Sequence, residues 1–144
     1  HVRSRRQRQM CIRDRDEAMR KLVKDYLKSS KELLNLLGST NKDDKIYPNY
    51  SKKKAPYLIL KIRPQERTIP KVDDLEVKII DDDVDRQEEI QELILKLLDF
   101  GETKGHYKNK TNILYTSHLI GSGELEYEEL GLVEKILNFE VKWR

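Results

Sequence analysis

Apolar and polar positions along this chain follow two periods. Over residues 19–28, Met19, Leu22, Val23, Tyr26 and Leu27 recur at helical spacing, with Arg20, Lys21, Lys24 and Lys28 between them. That pattern predicts an amphipathic helix with one buried stripe. It restarts in "SSKELLNLLG", where Ser29 and Glu32 have capping-box spacing and Gly38 can take the left-handed position past the last turn. The expectation is a long helix, a break near Ser29–Ser30 and a short helix over 31–37. The strongest helical stripe is Ile90, Leu93, Ile94, Leu97 and Leu98. Asp85 is its candidate N-cap, with Glu88 three residues on and Gly101 after the end.

Strand signals lie between these helices. "YLILKI" (57–62) is a short apolar run bounded by Pro56 and Pro64, and "LEVKII" (75–80) places Leu75, Val77 and Ile79 on one face. "NILYTSHLI" (112–120) reads as a third strand. The stretch 132–143 alternates, with Val133, Leu137, Phe139, Val141 and Trp143 on one face and Ile136, Asn138, Glu140 and Lys142 on the other. The segments 41–56, 64–74, 102–111 and 121–131 are rich in polar residues, Pro or Gly and read as exposed loops. This order predicts an α+β domain: a mainly antiparallel sheet of about four strands, with two main helices packed on one face.

The chain has 144 residues, enough for one domain with its own core. No apolar run approaches the roughly 20 residues that span a bilayer, and the basic start lacks the apolar run of a secretory signal. A lone cysteine, Cys11, cannot form an internal disulfide. The net charge of +3 invites a nucleic-acid reading, but its distribution weakens that reading. Six of the 29 Lys and Arg and one of the 26 Asp and Glu lie in residues 1–15, leaving 23 against 25, a net −2, for the rest.

That opening segment contains "RRQRQMCIRDR", residues 5–15. It resembles, at every position, the translation of a transposon-type sequencing-library adapter, whose last partial codon begins AG and so encodes Arg or Ser. The other reading is a basic arm of the kind that binds nucleic acid or stays disordered. On the adapter reading, residues 1–15 are non-native, pack against little and can be deleted, and 16–144 is a single α+β domain. Met19 is then a candidate native start.

Candidate chemistry is sparse. Asp81, Asp82, Asp83 and Asp85 could bind a divalent cation through oxygen, as in a small metal-dependent enzyme. They lack the spaced acids, turn glycine and distal Glu of a calcium loop, and acids at a helix start are favoured by its dipole. His106 and His118 lie outside any nucleophile motif. "GSGE" (121–124) lacks the Lys and Ser/Thr of a phosphate loop. The reading is therefore no catalytic residue, no metal ligand and no cofactor. Lys52, Lys53 and Lys54 could touch phosphates, which keeps a small nucleic-acid-binding or regulatory protein as the alternative. Tyr47, Tyr50 and Tyr107 are candidate partner-interface residues, a role in which Tyr is enriched; for Tyr47, Tyr50 and Tyr57, packing against the sheet edge is an equal alternative.

"LLNLLG", "KIYPNY", "APYLIL", "LEVKII", "QEEIQELILKLLDF" and "LVEKILNFEVKW", in that order over 19–144, resemble the small tail-completion, or tail-terminator, proteins of long-tailed bacteriophages and prophages. These are also called minor capsid or head–tail joining proteins. The segment 102–111 has no counterpart feature. The resemblance implies an α+β virion subunit, assembled in the bacterial cytoplasm into a ring of six copies at the head-proximal end of the tail tube. The ring contacts tube and neck proteins, and DNA passes through its lumen. It implies no catalytic residues and no membrane. Segments 64–74 and 102–111 are expected to order only on assembly.

Overall fold

The computed structural model describes residues 5–50, 52–66 and 70–144, with side chains placed for all of these except 5–13, 65 and 66. Helix α1 spans Arg5–Lys28 and α2 Lys31–Leu37; strands follow at Ile46–Tyr47 (β1), Tyr57–Glu66 (β2) and Lys71–Asp81 (β3). Then come α3 at Val84–Leu98, β4 at Tyr107–Lys108, β5 at Ile113–Tyr127, a 3-10 turn at Glu128–Leu130 and β6 at Leu132–Trp143. The strands form a six-stranded sheet in the order β1-β2-β3-β6-β5-β4, antiparallel except for the β1–β2 pair. The α+β class holds, but the sheet is mixed and larger than expected from the apolar runs. β1 and β4 are two residues each, too short to leave a periodic signal.

The predicted stripes build one core. Met19, Leu22, Val23, Tyr26 and Leu27 of α1 and Ile90, Ile94 and Leu98 of α3 are buried. They pack on Leu58, Leu60, Leu75, Val77 and Ile79, and on Leu137, Phe139, Val141 and Trp143 of β6. Each such buried side chain contributes roughly 1.5–3 kcal/mol. The helices therefore cover one face of the sheet. On the other face a smaller cluster joins Tyr57, Ile59 and Ile80, with Tyr47 and Leu132 against it.

Helix ends shift from their expected places. Ser30, not Ser29, caps α2, accepting from the Leu33 amide at 3.3 Å, while the Ser29 hydroxyl donates to the Tyr26 carbonyl. Gly38 does take the left-handed conformation, at φ 69°. Asp83, not Asp85, caps α3, and that helix closes on Asp99 rather than at Gly101. Gln87 is buried on α3, where its Nε2 donates to the carbonyls of Ile79 (2.9 Å) and Val133 (2.8 Å) and its Oε1 has no partner among the described residues.

All four segments expected as loops contribute strand residues, 41–56 through β1. Residues 64–66 extend β2, where a bulge between Pro64 and Glu66 accommodates the proline. Residues 71–74 begin β3, and 67–69 lie outside the described residues. Residues 121–127 continue β5 against β6 down to the Tyr127–Leu132 pair, despite Gly121 and Gly123. Within 102–111, Tyr107 and Lys108 pair with β5, and the Asn109 amide donates to Asp25 at 3.1 Å. The segment is thus docked within the single chain.

Helix α1 runs through the segment set aside as non-native. Side chains 1–13, Cys11 among them, lie outside the described residues, and Asp14 is exposed. Arg15 does pack: its guanidinium, with the side chain 12% exposed, lies 2.5 Å from a carboxylate oxygen of the fully buried Asp73. The other Asp73 oxygen accepts from Trp143 Nε1 at 2.8 Å. Burial, together with the nearby Asp73 charge, raises the pKa of the adjacent Asp16.

Candidate interaction site on the helix-free face

Strand pleating turns Ile59, Lys61 and Arg63 of β2, Asp74, Glu76, Lys78 and Ile80 of β3, and Glu134, Ile136, Asn138 and Glu140 of β6 to the face without helices. Its densest polar group centres on Glu134, whose side chain is fully buried. A buried carboxylate needs partners. Glu134 accepts from the Tyr50 hydroxyl at 2.7 Å and the Tyr127 hydroxyl at 3.3 Å, and lies 3.8 Å from Lys78 Nζ. Lys78 also donates to the Tyr50 oxygen at 3.0 Å, sits 5.0 Å above its ring and lies 3.4 Å from Glu76.

This network joins two distant segments. Tyr50 brings in the basic loop and Tyr127 the end of β5. Burial and the Glu134 carboxylate push the Tyr50 phenol up. The hydrogen bond with Tyr50, then burial and the Glu134 charge, push Tyr127 up to about 12. Glu134 falls on the polar register of the β6 alternation, the only trace it leaves in the sequence. Tyr127 was hidden in a stretch whose glycines and acids read as loop.

Lys52, Lys53 and Lys54 are exposed and contiguous. Lys53 lies 3.8 Å from Asp43, and Lys45 Nζ donates to the Lys54 carbonyl. The three candidate interface tyrosines are separated. Tyr47 turns inward, its hydroxyl donating to Asp43 and its ring 5.6 Å from Tyr57. Tyr50 keeps 54% of its surface exposed while its hydroxyl is held by Glu134. Tyr107 lies at the opposite sheet edge, 5.2 Å from the Tyr26 ring. The Tyr47 hydroxyl and the Lys45 amide hold Asp43 below the usual carboxylate range.

The acids before α3 meet a guanidinium and the helix start. Arg86 grips Asp81 with Nε at 3.0 Å and a terminal nitrogen at 2.5 Å, and reaches Asp82 at 3.0 Å. Asp81 also accepts from the amides of Asp82 and Asp83. Burial raises the Asp81 pKa, but these hydrogen bonds outweigh it and hold the group below its ordinary value. Among the described residues, no group of three or more His, Cys, Asp or Glu side chains is placed to hold a metal ion. His106 stacks on Phe100 at 3.7 Å between ring centres, its Nε2 2.9 Å from the Tyr26 hydroxyl. That hydroxyl donates its one proton to the Leu97 carbonyl at 2.5 Å, so His106 Nε2 is the donor to Tyr26. His118 lies on β5, 3.8 Å from Glu140. A cleft of about 550 Å³ beside α1 and α2 is lined by Lys24, Lys28 and Asp44 among others; Lys24 pairs with Asp44 there at 2.7 Å.

The fold has a counterpart among solved structures. A chain of the structure described as "Virion of native gene transfer agent (GTA) particle" matches with a TM-score of 0.61 at 13% identity, over 86% of this chain and 92% of the other. At that identity the likeness is one of fold, and it spans nearly the whole of both chains. No family model and no curated protein matches the chain. Among the described residues no helix is long and apolar enough to cross a membrane.

Proposed function

We propose that this chain is a structural subunit of a phage or prophage tail that forms a ring, of six copies, ending the tail tube and joining it to the head or neck. The carrying observation is the fold likeness, over 86% of this chain, to a chain of a gene transfer agent virion. The face described above supports the reading. Its buried charge is satisfied internally, between Glu134, Lys78 and two tyrosines, and its outer charges are of both signs, Lys61 and Arg63 of β2 lying opposite Glu76 and Asp74 of β3, as suits a surface that selects protein partners. Such a ring leaves a lumen for DNA, and its assembly belongs to the host cytoplasm.

The test is light scattering on the full chain, followed by negative-stain imaging with isolated tail tubes. Closed rings, alone or on tube ends, are the expected result. A monomer at every concentration, without tube binding, refutes the proposal. The exposed Lys52–Lys54 cluster sustains the second reading, a nucleic-acid-binding protein. That reading requires duplex binding at low salt that is lost on Lys52–Lys54→Ala.

A further inference from the structure

Strand β5 is longer than the cover on its outer edge. β4 pairs only with Ile113 and Leu114, and Phe100 bridges to Ser117. The Leu119 amide is taken by Asp99 at 3.3 Å. From Ile120 to Tyr127, roughly 26 Å of strand, no strand among the described residues pairs with that edge. Free edges are normally protected by lysine, proline or a covering element. From Leu119 to Gly131 there is neither Lys, Arg nor Pro. The segment instead carries Glu124, Glu126, Glu128 and Glu129, all exposed, with Ile120 and Leu125 each about half exposed.

The opposite edge has the complementary charge at the same height. The row Tyr47–Ile59–Lys78–Ile136–Gly123 crosses the whole sheet, so β1 and the free part of β5 are its two ends. The next row on the same face runs Tyr57–Ile80–Glu134–Leu125, and Lys52–Lys54 enter just before Tyr57. A second copy displaced sideways along these rows brings its Lys52–Lys54 loop against the glutamates of β5.

We propose that the acidic β5 edge of one copy docks on the β1 edge and Lys52–Lys54 loop of the next. The contact is head-to-tail, one copy's left edge on its neighbour's right, so it closes into a ring when the rotation permits. Tyr50, beside the basic loop, and Tyr127, at the end of the acidic strand, meet on the one Glu134 carboxylate, which ties both segments to β6. This inference rests on the ring reading and specifies its interface.

Charge exchange tests it. Glu124→Lys/Glu126→Lys/Glu128→Lys, and separately Lys52→Glu/Lys53→Glu/Lys54→Glu, are made in the full chain. Sedimentation velocity is run at about 50 mM and about 500 mM salt. All six sites are exposed, and unchanged thermal transitions establish folding. Each single reversal is expected to weaken self-association by about 100-fold, and the combined variant to restore it. Closed oligomers indifferent to both reversals overturn this interface and leave the ring reading intact. Loss without rescue in the combined variant also overturns it, pointing to a different protein on the β5 edge. A wild-type chain that stays monomeric overturns the ring reading together with the interface.

Discussion

Arg15→Met probes the contact between the middle of α1 and the buried pair Asp73 and Trp143 on β3 and β6. Asp73 is fully buried and, among the described residues, has two partners, the Arg15 guanidinium at 2.5 Å and Trp143 Nε1 at 2.8 Å. Methionine keeps the apolar stem and the helix propensity but leaves the carboxylate with only the indole. At an effective dielectric constant near 20 and about 3.5 Å, the lost attraction is about 5 kcal/mol. The desolvation of Arg15 that the variant no longer bears offsets part of this. Breaking a buried pair from one side costs roughly 3–5 kcal/mol; with Arg15 partly exposed, we expect about 3. Asp73→Asn keeps an acceptor for Trp143, so a cycle of Arg15→Met, Asp73→Asn and the double variant isolates the pair, with an expected coupling of about 2 kcal/mol. The assay is urea unfolding at neutral pH, read by Trp143 fluorescence. A loss below about 0.5 kcal/mol with no coupling would show that water already screens Asp73, and that residues up to Arg15 can be removed without cost.

Acid unfolding should report Asp81. Its pKa is depressed in the folded state, so its stabilisation is present above the ordinary value of 3.8 and is lost as pH falls below it toward the folded pKa; Arg86→Met should flatten that part of a stability-versus-pH curve. Tyr127 is raised to about 12, so the stability it confers is complete below 10.0 and declines as pH rises toward the folded value; ultraviolet titration of Tyr127→Phe should lack one late-ionising phenol. Ile94→Ala empties a fully buried site on α3 and should cost about 2–5 kcal/mol in denaturant unfolding. Gly131→Ala meets no atom within 4 Å but must adopt φ near 64°, so thermal unfolding should show a loss of about 1 kcal/mol that comes from the backbone alone.

The helices were legible because their apolar stripes are long and their surroundings charged. The buried set Ile90, Ile94 and Leu98 is the centre of the predicted stripe, with Leu93 and Leu97 partly buried beside it. The strand cores at 57–62 and 75–80 were equally clear. Their extensions were not, because sheet pairing overrides local turn preference: Gly121 and Gly123 are held opposite Asn138 and Ile136 although nothing in "GSGE" favours a strand. The polar centre was hidden for a different reason. Tyr50, Lys78 and the Tyr127–Glu134 pair lie far apart in sequence, and each alone reads as a surface residue. Only the register of β3, β6 and β5 brings them together. Asp73 is a similar case, an acid on the apolar face of β3 that is explained by Arg15 and Trp143 and by nothing near it in the chain.

Gln87 has a kinetic consequence. Its two acceptors, the carbonyls of residues 79 and 133, sit on strands that meet only when β3 has found β6. Hydrophobic burial can draw α3 toward β3 early, since the two are sequence neighbours. The amide clasp must wait for the long-range pairing, and we predict that it closes after the main barrier. Gln87→Met should therefore leave the folding limb of a chevron almost unmoved and speed unfolding by about fivefold, the partition expected of an interaction absent from the transition state. A side chain buried for its polarity thus sets how long the folded sheet keeps its helix rather than how quickly it acquires it.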